Sequence, residues 1–252
     1  MVRILMSASQ IALLAIILTA SGFVSGLSGF GYFLAATPLC SIVVAPARAV
    51  ILITVCGLAP AIQDFVRFRQ DIDRPVATRM TIASLVGMPL GLVVLETVGD
   101  APLRLTIAVV TGTVTILMLT GVELRRATRT SDVLLGFLSG VLNTSVGTNG
   151  PPMVINLRAH HLSISRFRGT ISTLFLTAQV VGVILFASRG KIHLDVVLLA
   201  LAVVPVQMLF VLAGQRLSLR LAQRRFDHVV LAVLLASAIG ATINAVVNLA
   251  TG

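Results

Sequence analysis

The feature that most constrains this chain is a glycine-rich interruption that occurs twice in an otherwise apolar sequence. The first copy runs Gly22-Phe23-Val24-Ser25-Gly26-Leu27-Ser28-Gly29-Phe30-Gly31 and reaches Pro38. The second runs Gly136-Phe137-Leu138-Ser139-Gly140 through Asn143-Thr144-Ser145-Val146-Gly147-Thr148-Asn149-Gly150-Pro151-Pro152. Both open with Gly-Phe-x-Ser-Gly, and the same spacing of 114 residues separates 22 from 136 and 38 from 152. A repeat of this length divides the chain into two halves, 1–126 and 127–252. Each copy marks a place where a membrane helix is expected to break.

That expectation rests on what surrounds the motifs. Hydrophobic residues make up 57% of the chain and charged residues 11%, with a mean hydropathy of +1.03, so most of the apolar surface must face lipid or other helices. The formal charge of +10 sits in short runs between apolar segments, as in cytoplasmic loops. No basic face or aromatic platform points to nucleic acid. Cys40 and Cys56 lie in apolar stretches without metal-ligand spacing and read as small buried hydrophobes. No motif calls for a cofactor or a metal.

Apolar segments are expected at about 5–26, 31–45, 48–65, 77–96 and 103–122, then at 132–146, 150–160, 164–187, 194–214 and 228–249. Arg3 and the run from Ile11 to Ala20 have the outline of a secretory leader. Because that run continues into the repeated motif, it is expected to stay in the mature protein. The loops are short, leaving no room for a soluble domain.

Charge arbitrates the topology. With ten crossings, one side carries Arg67, Arg69, Arg74, Arg79, Arg125, Arg126, Arg129, Arg158, Arg166, Arg168, Arg216, Arg220, Arg224 and Arg225. The other carries Arg3, Arg48, Arg104, Arg189 and Lys191, a division of 14 against 5. An eight-span reading, in which 31–45 and 150–160 only dip in and return, gives 10 against 9. The positive-inside rule therefore favours an all-α integral membrane protein of about ten segments, eight long or moderately long plus two short half-helices, in two inverted five-segment repeats. Both termini then lie outside the cytoplasm, with the protein in the cytoplasmic membrane.

The doubled Gly-Phe-x-Ser-Gly openings, their glycine-rich continuations with a following proline, and the later Arg168-Gly169-Thr170 resemble the TauE/SafE family of sulfite and organosulfonate exporters. The resemblance covers nearly the whole chain. It implies a multi-span transporter for small sulfur-containing anions. This chain departs from the family's Gly-x-Gly-Gly-Gly pattern with Gly29-Phe30-Gly31-Tyr32-Phe33 and with the polar run from Asn143 to Gly150, which implies an altered pocket.

The residues themselves suit an anion. A glycine-rich break lets backbone N–H groups point inward, and the half-helix that follows aims its positive end at the ligand. Pro151 and Pro152 fit the first turn of such a helix. The candidate site comprises Ser25, Ser28, Gly29 and Gly31 from the first copy and Asn143, Thr144, Ser145, Thr148, Asn149 and Gly150 from the second. For Ser25, Gly26, Ser139 and Gly140 close helix packing competes with ligand contact. Arg48, a lone cation beside the first short helix, and the intramembrane Gln179 and Gln207 complete the candidates, with snorkelling and helix-to-helix hydrogen bonding as their structural alternatives.

Gln63 and Gln179 recur at a spacing of 116 residues, as do Pro89 and Pro205. Asp73 and Asp195 are expected near helix N-caps. Asp64, Glu96, Glu123, Asp132 and Asp195 all fall near segment ends, as do His160, His161, His193 and His228. A buried-carboxylate proton relay is therefore not expected. The function expected is a secondary transporter, an exporter of a small sulfur-containing or organic anion. A passive anion channel and a membrane assembly factor are the alternatives; no nucleophile–base pair or nucleotide loop supports an enzyme. The partners expected are a small anionic substrate and the lipid bilayer, and nothing in the sequence speaks against a homo-oligomer.

Overall fold

A computed structural model describes residues 6–29, 31–120 and 126–218. All the elements in these stretches are helices: α1 (Ala8–Ser28), α2 (Tyr32–Val43), α3 (Pro46–Phe68), α4 (Arg74–Thr97), α5 (Asp100–Thr120), α6 (Arg129–Val146), α7 (Gly150–Ala159), α8 (Ile164–Ser188) and α9 (Leu194–Ser218). They match the first nine expected segments; the tenth, 228–249, lies outside the described residues.

Helix starts follow from local chemistry. Ser7 and Gln10 form a capping box at α1, and Thr128 and Ser131 form one at α6. Asp73 caps α4 by accepting from the Val76 N–H. Asp195 sits in the first turn of α9, where it forms an ion pair with Arg48 instead.

Among the described residues five helices, α1, α3, α4, α8 and α9, are long and apolar enough to cross a membrane. The 12 residues of α2 and the 10 of α7 reach only ~15–18 Å, about half the hydrocarbon core. The lipid side is written in exposed apolar side chains such as Ile16, Val86, Leu134, Leu201 and Leu209. In such a solvent, helices associate through close packing and hydrogen bonds.

The glycines provide that packing. A Cβ on Gly26 would collide with the Val211 carbonyl of α9, and one on Gly140 with the Ser84 carbonyl of α4. The partners answer in kind: a Cβ on Gly214 would strike the Phe23 carbonyl, and one on Gly91 the Val141 carbonyl. So α1 lies against α9 and α6 against α4, while α3 packs on α8 between them. Each half thus lends its first helix to the other half's fourth.

Candidate functional site

Both motifs do interrupt their helices. Gly29 ends α1 at φ +79° and Gly147 ends α6 at φ +66°, left-handed conformations that glycine tolerates without strain. The two breaks fall at different points of the repeat. Gly29 comes seven residues after Gly22, whereas Gly147 comes eleven after Gly136. The second helix therefore runs about one turn further before it stops. The two prolines consequently part company: Pro38 lies in the middle of α2, while Pro151 and Pro152 occupy the first turn of α7.

The breaks meet. Thr37 of α2 donates a 3.0 Å hydrogen bond to the Gly147 carbonyl. A Cβ on Gly147 would lie 2.7 Å from Ile53 Cδ1 and 3.3 Å from Thr37 Oγ1, so α2 and α3 close directly over the second break.

Within the second motif most polar side chains have partners. Thr144 Oγ1 donates to the Met88 carbonyl at 2.6 Å, joining α6 to α4, and Ser145 Oγ turns back to the Val141 carbonyl at 2.7 Å. Thr148 Oγ1 reaches the Val146 carbonyl at 3.4 Å. Asn143 Nδ2 donates to the Ala178 carbonyl at 3.3 Å, and its Oδ1 accepts from Gln179 Nε2 at 3.5 Å. Ser139 spans the break by donating to the Asn149 carbonyl.

Asn149 is the exception. It immediately precedes Gly150 at the start of α7, is 0% exposed, and neither Oδ1 nor Nδ2 has a hydrogen-bond partner. Gln179 Oε1 and Gln207 Oε1 are likewise buried without partners. Each such atom costs about 1–3 kcal/mol unless something polar satisfies it. Gln207 Nε2 donates to the Cys56 carbonyl at 3.4 Å, and the Tyr32 ring packs beside it.

The first copy contributes less to this interior. Ser25 is buried and Gly31 is a buried N-cap of α2; the side chain of Ser28 lies outside the described residues. Tyr32 and Phe33 meet edge-to-face at 4.9 Å, and Gly57 of α3 leaves them room, since a Cβ there would lie 2.8 Å from Phe33 Cζ. Arg48 is not a lone cation: Asp195 neutralises it at the start of α9.

Ser25 and Gly29 also line a pocket between the ends of α1, α3, α8 and α9, with Asp64, Arg67, Arg168 and Gln215. Its space is about 450 Å³ including the open mouth. The Arg67 and Arg168 guanidiniums stand 5.4 and 5.5 Å from the centroid of the Phe68 ring.

A second charged cluster was not foreseen. Asp132, in the first turn of α6, is 0% exposed and is gripped from three sides. Arg79 of α4 reaches its Oδ2 with Nε and Nη2, both at 2.7 Å. Asn156 Nδ2 and His160 Nε2 contact its Oδ1, each at 2.6 Å. The sequence places it near a segment end, and the fold sets α4 and α7 around it. No spacing in the sequence signals this, because its partners lie on other helices.

A family model described as "Sulfite exporter TauE/SafE" matches residues 13–241 of the chain. No curated protein and no solved structure matches it.

Proposed function

The chain belongs to the sulfite exporter TauE/SafE family, whose members are transporters and not enzymes, and on that premise we propose that it exports a small sulfur-containing or organic anion such as sulfite or a sulfonate. The anion is held where the two interrupted helices meet. Asn149 is the observation that carries this reading: a fully buried amide with both polar atoms unmatched, at the positive end of a half-helix, is suited to an oxyanion. Thr148 and Gly150 flank it. Gln179 and Gln207 stand on α8 and α9 nearby, but their unmatched atoms are carbonyl oxygens, so each must turn its Nε2 away from Asn143 or the Cys56 carbonyl before it can donate to the anion.

The exchange of first helices between halves supports two five-segment repeats of inverted orientation around this site. The 14-to-5 division of basic residues supports placing the ends of α1, α3 and α6's start on the cytoplasmic side of the inner membrane, with both termini outside.

In proteoliposomes loaded with radiolabelled sulfite or taurine, Asn149→Ala and Thr148→Val are expected to abolish saturable efflux while leaving thermal stability near that of the parent protein. Wild-type rates in both variants would remove the second break from the site. An anion leaving a negative interior moves down the potential, worth ~2.3 kcal/mol per charge per 100 mV. Efflux is accordingly expected to rise with an imposed inside-negative potential at constant pH. Efflux driven by a pH gradient alone and indifferent to voltage would contradict this.

A further inference from the structure

On the face that carries most of the basic residues Arg79 meets the carboxylate of Asp132, while on the opposite face Arg48 and Arg189 meet Asp195 and Glu96. Arg67 and Arg168 line the pocket at the end of α1 and, among the described residues, neither lies within ion-pairing distance of an acid. Both nevertheless act electrostatically on Asp64, the one acidic residue lining the pocket.

Gln215 keeps the acid and the bases apart. Its Nε2 donates to Asp64 Oδ1 at 3.1 Å. Its Oε1 accepts from Arg67 Nη1 at 2.7 Å and from Gln63 Nε2 at 3.2 Å. Asp64 is thereby held at the pocket wall by an amide instead of collapsing onto a guanidinium. Each guanidinium carries five N–H donors, so Arg67 retains donors beyond the one that Gln215 uses. Ser25 and Ser172 add hydroxyls to the lining. Among the described lining residues two fixed positive charges stand against one negative, a balance of plus one, and Gly29, the residue at which the first helix breaks, forms part of the wall.

We infer that this pocket is the loading site for the transported anion and that it favours singly charged oxyanions over doubly charged ones. Arg67 and Arg168 hold the oxygens; Asp64 sets the charge that is accepted. The inference rests on the export reading, since an exporter must capture its substrate on the face where these arginines lie. A monoanion brings the pocket to neutrality, whereas a dianion leaves a net negative charge beside Asp64 in a partly desolvated space.

The test measures binding of methanesulfonate and of sulfate to the full-length chain in detergent, at constant ionic strength, by ligand-dependent thermal shift. The parent protein is expected to bind methanesulfonate about tenfold more tightly than sulfate. Arg168→Gln and Arg67→Gln are each expected to weaken methanesulfonate binding about tenfold, with Arg→Lys recovering part of it. Asp64→Asn is expected to reverse the preference in favour of sulfate. In an Asn149→Ala background, Arg168→Gln is expected still to weaken methanesulfonate binding, because the pocket and the second break are separate places.

Arginine variants that bind like the parent, or an Asp64→Asn protein with an unchanged ratio, would overturn the inference. So would loss of all methanesulfonate binding in Asn149→Ala, which would move the bound anion to the break and leave the export reading standing. A parent protein that binds neither anion also overturns it, and efflux of sulfite in proteoliposomes then decides the export reading separately.

Discussion

Gly140→Ala is expected to disrupt the membrane fold, although it adds a single methyl group. The new Cβ would lie far inside van der Waals contact distance of the Ser84 carbonyl oxygen. That atom is backbone, so no side-chain rotamer can relieve the clash; α4 and α6, the most extensive helix pair among the described residues, must separate. Overpacking of cores typically costs 1–3 kcal/mol where side chains can shift. Here, with two backbones in contact, a loss of more than about 3 kcal/mol is expected. Size-exclusion profiles and thermal unfolding in detergent would show it as aggregation or a large fall in Tm.

Gly26→Ala should behave the same way at the α1–α9 contact, against the Val211 carbonyl. Gly112→Ala is the control, since nothing lies within 4 Å of a Cβ there. It is expected to be neutral or to stabilise by up to about 1 kcal/mol through helix propensity. A Gly140→Ala protein as stable as Gly112→Ala would mean that α4 and α6 are not in backbone contact.

Asp132→Ala is the second large effect. Removing the carboxylate leaves the Arg79 guanidinium, the Asn156 amide and the His160 ring without their common acceptor. Breaking one side of a buried ion pair costs about 3–5 kcal/mol. Arg79 keeps 30% of its side chain exposed and can turn to water, so the lower end, about 3 kcal/mol, is expected. Asp132→Asn keeps an acceptor for Arg79 and should cost clearly less. Equal stability of Asp132→Ala and the parent in thermal unfolding would remove the cluster as a tie between α4, α6 and α7. Because α7 begins at Asn149, the alanine variant is also expected to impair transport.

Much of this architecture was legible beforehand because membrane helices announce themselves locally. Length and apolarity mark a span without reference to its neighbours, and the described helices follow the expected segments closely. The helix breaks were legible for the same reason: a glycine run weakens a helix wherever it stands. Pro151 and Pro152 sit in the first turn of α7, where such residues are tolerated.

The roles of individual polar residues were less so. Thr144 and Ser145 looked like ligand donors, yet their hydroxyls are bonded to the Met88 and Val141 carbonyls. In a medium without water a hydroxyl takes the nearest carbonyl: Ser145 turns to its own helix four residues back, whereas the carbonyl that Thr144 takes belongs to α4, a helix that sequence spacing does not place. Ser139 and Gly140, weighed between packing and ligand, both make packing contacts: Ser139 ties down the Asn149 carbonyl and Gly140 lies against Ser84. Arg48 looked isolated because Asp195 is nowhere near it in the chain.

What the sequence by itself determined is everything that depends on a single segment's exchange with its solvent: that the chain lives in a bilayer, that it is helical, where its helices begin, and where two of them fail. These are local free energies, summed over neighbouring residues. Only the tertiary structure decided which glycine is a contact and which a hinge, that Thr37 closes on Gly147, that Asp132 is buried among three partners, and that Arg67 and Arg168 line one pocket with Asp64. Those outcomes depend on pairs of residues as distant in the chain as Gly26 and Val211, and pairwise energies of that range belong to an assembled bundle, not to any stretch of sequence.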